Sequence, residues 1–173
     1  MRLGKTFAIL IVFLLLYYLS HKVLQKKEKT EESEEKEKKI FSYLDLKNVS
    51  TLSIKNEDGL FEFKQDTKGN WDITSPIKDE GSKSTIDEIV NSIKNLEIKK
   101  RLSESAKDLS MFGLSQPSCE INLTLTNNKK ETLFLGGKTP DDSSLYIKHA
   151  GEKKVLVSGT TLEHLKTKKL TDF

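Results

Sequence analysis

Between Gln25 and Lys39 the chain contains only Lys, Glu, Gln, Ser and Thr. A stretch without a single apolar side chain cannot bury a core, so it separates two parts of the chain that must fold under different rules. Before it lies Thr6 to Ser20 (TFAILIVFLLLYYLS), free of charge, with Arg2 and Lys5 on one side and His21 and Lys22 on the other. After it come the residues from Ile40 to Phe173, enough for one domain with a real core.

The uncharged run is shorter than the ~20 residues that span a hydrocarbon layer. Leu3, Val23 and Leu24 lengthen it if Lys5 and Lys22 snorkel to the headgroups, and Tyr17 and Tyr18 then sit near one interface. A cleaved signal peptide has a similar profile, but no small-x-small site follows and no cysteine is nearby. The expected organisation is therefore a transmembrane anchor at 1-24, contacting the membrane through residues 3-24, a charged Lys/Glu linker at 25-39 and an α+β domain at 40-173. Pairs such as Glu32–Lys36 and Glu35–Lys39 have the spacing that adds about 0.2 to 0.5 kcal/mol each to a helix. The linker is thus either a helical stalk or a flexible tether. Long domains translocate largely regardless of charge, so the favoured topology keeps the short N-terminus inside. In a bacterium this gives a single-pass inner-membrane protein with a periplasmic domain.

Nine Lys/Arg and six Asp/Glu precede residue 40, so the net +3 resides there and the domain carries 20 of each sign. A neutral domain lacks the positive field on which nucleic-acid binding depends, and no nucleic-acid partner is expected. The single cysteine, Cys119, allows no intramolecular disulfide. In CEINLTL it shares a strand face with Ile121, Leu123 and Leu125, the pattern of a buried structural thiol.

Within the domain, Val49–Lys55, Leu60–Lys64 and Asn70–Thr74 read as strands, and Asp58-Gly59 and Lys68-Gly69-Asn70 as the turns of a meander. Trp71 and Ile73 share one face, as do Phe61 and Phe63, and these aromatics are assigned to the core. Ile86, Ile89, Val90, Ile93 and Leu96 recur at the helical period, predicting one helix from about Thr85 to Leu96 with Ser84 and Asp87 as a capping box. An extended piece (Ile98–Leu102) and an irregular segment around Phe112-Gly113-Leu114 and Pro117 follow. Strands are then expected at Cys119–Thr126, Thr132–Leu135, Leu145–His149 and Lys154–Val157, with turns at Asn127-Asn128, Gly136-Gly137 and Ala150-Gly151. A short helix near Thr161–Lys166 ends the chain. Strands, a helix, more strands and a short helix describe an antiparallel α+β fold, with the sheet packed on one main helix.

Carriers of chemistry are sparse. Gly136-Gly137-Lys138-Thr139 resembles a phosphate loop, but Thr132 stands where the motif needs its first glycine. His21, His149 and His164 have no ligand spacing. Asp141-Asp142-Ser143-Ser144 lacks the carboxylate positions of a calcium loop. The sequence therefore assigns no catalytic, cofactor-binding or metal-binding residue, expects no enzyme and no cofactor, and leaves the binding residues open.

The order of these signals resembles the DUF4340 family. The resemblance is carried by VSTLSIKNEDGLFEF, by Gly69-Asn70-Trp71-Asp72-Ile73 with Pro76, by the helix, by MFGLSQP at 111 to 117, by LFLGGKTP at 133 to 140, by LYIK and KVLV, and by a terminal LTDF. It implies an auxiliary role beside ABC-type export or gliding-motility transporters, with inner-membrane proteins, an ABC permease among them, as partners. The resulting expectation is a membrane-anchored, non-catalytic accessory or interaction subunit of a bacterial membrane complex. The competing one is a periplasmic domain that binds a ligand or an envelope polymer or lipid through an open sheet face or the loop between Pro76 and Ser84; an exposed patch around Trp71 or Phe112 would favour it, and burial of both would weaken it.

Overall fold

The computed structural model describes residues 38–102 and 108–173. The chain divides into two compact units, Met1–Glu37 and Lys38–Phe173. The anchor predicted at 1-24 and nearly all of the linker lie outside the described residues. Among the described residues no helix is long and apolar enough to cross a membrane.

The expected meander forms, because period-two alternation and tight turns act locally. β1 (Val49–Asn56) and β2 (Gly59–Gln65) pair antiparallel, with Asn56 opposite Gly59 at the hairpin end. Gly59 has φ 139°, a conformation that only glycine adopts without strain. β3 (Trp71–Ser75) pairs with β2, and a two-residue strand, β4 (Asp79–Glu80), closes that edge. β4 falls inside the predicted KDEGSK loop; its two charged residues carry no strand pattern of their own.

The nine strands among the described residues form one sheet in the order β4-β3-β2-β1-β6-β7-β8-β9-β5, every pairing antiparallel. Its second half consists of β6 (Cys119–Leu125), β7 (Lys130–Lys138), β8 (Leu145–His149), β9 (Leu156–Ser158) and, at the far edge, β5 (Ile98–Arg101). The helix α1 (Lys83–Lys94) leaves one edge after β4 and delivers the chain to β5 at the opposite edge. Its stripe of Ile86, Ile89, Val90 and Ile93 is buried, and Leu96, past the helix end, is buried too. The result is a mostly β, α+β fold with a large antiparallel sheet and one main helix.

Pairing fixes which residues share the buried face. Leu52 lies between Phe63 and Leu123, and Ile54 between Phe61 and Ile121. The outward positions Glu62, Lys64 and Asp72 are exposed, as expected for an antiparallel sheet with one wet face. The C-terminus seals the core edge. Phe173 packs on Phe63 and Phe61 with ring centroids 4.8 and 5.3 Å away, and its carbonyl accepts from the Ser82 amide at 2.9 Å.

Three local expectations are corrected. Gly136-Gly137 is not a turn but the irregular part of β7, where the register to β8 shifts between Leu135 and Lys138. The helix begins two residues earlier than a Ser84 cap would allow: Ser82 is its N-cap and makes no side-chain capping bond. Asp87 bonds Trp71 and Lys83 instead, so a tertiary partner displaced the local one. The terminal helix is a 3-10 turn at Glu163–Lys166, followed by another at Leu170–Asp172.

Candidate functional site

Two cross-strand rows of the buried face end in polar residues. Phe63, Leu52 and Leu123 lead to Glu131, and Phe61, Ile54, Ile121 and Leu133 lead to His149. Glu131 occupies an inward position of β7 in step with Leu133 and Leu135. At 5% exposure it is the one charged side chain buried among the described residues. Burying an ionised carboxylate is costly unless donors surround it, and three are present.

The Tyr43 hydroxyl donates to Glu131 Oε1 at 2.5 Å, and the Lys129 ammonium meets the same oxygen at 2.7 Å. His149 Nε2 lies 2.7 Å from Oε2. Each donor comes from a different part of the chain. Tyr43 belongs to the lead-in segment before β1, whose Phe41 and Leu44 are buried. Lys129 follows the β6–β7 turn, which Asn128 closes in the left-handed region at φ 63° while the Asn127 side chain accepts from the Lys129 amide. His149 ends β8, with the Phe41 ring edge-on to it at 5.1 Å. Lys129 Nζ also stands 4.4 Å from the Tyr43 ring centroid, a cation–π contact.

The electrostatics follow from this enclosure. Burial, then the bond to the carboxylate, pushes the Tyr43 phenol up to about 12. For Glu131, burial alone would raise the carboxyl; the bonds from Lys129, Tyr43 and His149 outweigh it and hold the group below the ordinary carboxylate value. The bond to Glu131 raises Lys129 in turn. The cluster borders an open concavity of about 470 Å³ that Ile40, Lys130 and Glu152 also line. None of the four residues stood out in the sequence as a group. Glu131 alone carried a signal, a charge in an inward register.

The other sequence-selected residues separate. Both oxygens of Asp141 accept from its own turn, from Thr139 at 2.5 Å and from Ser143 at 2.7 Å, which lowers its carboxyl to about 2. Lys138, once compared with a phosphate-loop lysine, pairs with Glu163 at 2.7 Å. Among the described residues no group of three or more His, Cys, Asp or Glu could hold a metal. Trp71 is 1% exposed, whereas Phe112 is half-buried against Tyr146 at 4.9 Å beside Met111, which is 78% exposed.

Two of the motifs quoted above meet in space. At Gly113 the chain takes φ 65°, and a Cβ there would stand 2.8 Å from the Gly137 amide nitrogen. A Cβ on Gly136 would stand 2.2 Å from the Phe112 carbonyl oxygen. MFGLSQP thus lies against LFLGGKTP, and the glycines are what allow the contact.

No curated protein matches the chain, and no solved structure matches it. The model of a family described as a domain of unknown function, DUF4340, matches residues 71–173, from β3 to the last residue. The β1–β2 hairpin precedes that range. With well over half of its length matched, the chain belongs to the DUF4340 family.

Proposed function

We propose that this protein is a membrane-anchored, non-catalytic accessory subunit whose domain binds another protein of a bacterial membrane complex, in an ABC-type transport or gliding-related system. The observation that carries this reading is the joint at the start of the domain. Phe41 and Leu44 are buried and Tyr43 is bonded to the buried Glu131 carboxylate, so the chain arriving from the charged run is fastened to the sheet. A domain displayed on a tether needs such an attachment. The exposed Met111 beside Phe112 and Tyr146 supplies the residue types enriched where proteins meet. The acidic groups with altered acidity, Glu131, Asp66, Asp108 and Asp141, each spend their oxygens on neighbouring donors, which suits structural roles better than proton transfer.

The same exposed Met111 favours a second reading, a periplasmic domain that binds an envelope polymer or lipid. The burial of Trp71 weakens it. Affinity purification of the full chain from native membranes in mild detergent, with mass spectrometry of what accompanies it, separates the two. A co-purifying multi-span permease with its ATPase is the expected result. Recovery of the folded chain alone would sink the accessory reading and favour the second.

A further inference from the structure

We infer that Tyr43, Glu131 and His149 form a proton-operated clasp: with the carboxylate ionised, residues 38–45 are fastened to the sheet, and acid loosens them while the sheet stays folded. The inference stands on the geometry of the cluster and does not depend on which partner the domain binds.

The lead-in segment has little regular structure of its own. Its backbone bonds are short-range ones: the Ser42 amide to Lys39 O at 3.3 Å, the Leu44 amide to Phe41 O at 2.9 Å, and bonds of Tyr43 and Asp45 to Asn48, all within five residues. The Tyr43–Glu131 bond ties it to β7 across 88 residues of sequence. Everything that faces Glu131 is a donor: the Tyr43 hydroxyl from the lead-in, the Lys129 ammonium from the β6–β7 turn and the His149 ring from β8. Lys130 and Glu152 line the neighbouring concavity, and Glu152 is engaged by Arg101 at 3.6 Å. An ionised carboxylate satisfies all three donors. A proton on the carboxyl removes the charge that strengthens these bonds, and on Oε1 it faces the Lys129 ammonium, which can only donate. The Tyr43 bond to the same oxygen weakens with it, beside the Phe41 ring that rests on His149. Leu123 and Leu133, paired with Glu131 and His149, remain tied into β6 and β7 by full strand ladders.

The sign is fixed by the carboxylate. Its value lies below the ordinary one, so the clasp is complete above the ordinary carboxylate value of about 4.3 and is lost as pH falls through the lower folded value. Hydrogen–deuterium exchange of the full chain in detergent, corrected for intrinsic rates, reads this directly. Protection of the 38–46 peptide is expected to fall about tenfold between about pH 6 and about pH 3.5, with the 119–126 strand peptide unchanged. Glu131→Gln should leave the 38–46 peptide weakly protected and insensitive to pH. Tyr43→Phe, which keeps the Lys129 and His149 contacts, should lower its neutral-pH protection and flatten the profile without touching the strand. A flat wild-type profile, parallel loss in the strand peptide, or a full acid response retained in both variants would each overturn the clasp.

Discussion

The indole nitrogen of Trp71 donates to Asp87 Oδ1 at 2.9 Å, joining β3 to the first turns of α1. Trp71 is the only tryptophan and is 1% exposed, so its N–H has no water to turn to. Asp87→Ala removes the acceptor from a buried donor and should cost about 1 to 3 kcal/mol. Asp87→Asn keeps an oxygen in place and should cost less than about 1 kcal/mol. Urea unfolding followed by the fluorescence of Trp71 measures both. Equal midpoints for wild type and Asp87→Ala would mean the bond carries no weight.

Gly136→Ala drives a methyl group toward the Phe112 carbonyl, which is backbone and cannot swing aside. A loss of about 2 to 4 kcal/mol is expected, from overpacking together with displacement of the Leu109–Phe112 turn. Gly59→Ala is strained by its φ alone, meets no atom within 4 Å, and should cost less than Gly136→Ala. Thermal unfolding of the two variants side by side tests the ranking, and a reversed order would refute it.

Tyr43 should ionise late. Because its folded value is raised to about 12, its contribution to stability is fully present below the ordinary tyrosine value near 10 and disappears as pH rises through about 12. An ultraviolet titration should contain a tyrosinate step near pH 12, and Tyr43→Phe should remove it. The variant should also lose less stability than wild type between about pH 10 and pH 12. A late step that survives in Tyr43→Phe would assign it elsewhere.

Cys119 has no exposed surface, and burial pushes its thiol up to about 12. Only the thiolate reacts, so a disulfide reagent near neutral pH should modify it at the rate of global opening. Rapid modification of the folded protein, unaffected by stabilising conditions, would contradict the buried placement.

Much of the sheet could be read from the chain. Leu52, Ile54, Phe61 and Phe63 alternate, and Asp58-Gly59 turns the hairpin, because these are choices made within a few residues. The stripe from Ile86 to Ile93 gave the helix and its buried face for the same reason. Errors arose where a local signal competed with a distant partner. Ser84 and Asp87 have the spacing of a cap, but Trp71 and Lys83 took the carboxylate. Gly136-Gly137 has the composition of a turn, yet its missing side chains make room for Phe112 and Leu114, more than 20 residues earlier.

By itself, then, the sequence determined most of the strands, the helix, the buried thiol of Cys119 and the family, all of which depend on periodicity or on the order of short motifs. Tertiary structure decided the order of the nine strands, the passage of α1 from one edge to the other, and the meeting of Tyr43, Lys129, Glu131 and His149. The physical reason is the range of the interactions. Alternation acts over two residues and a helix turn over four, whereas a buried carboxylate selects its donors in space, wherever in the chain they happen to lie.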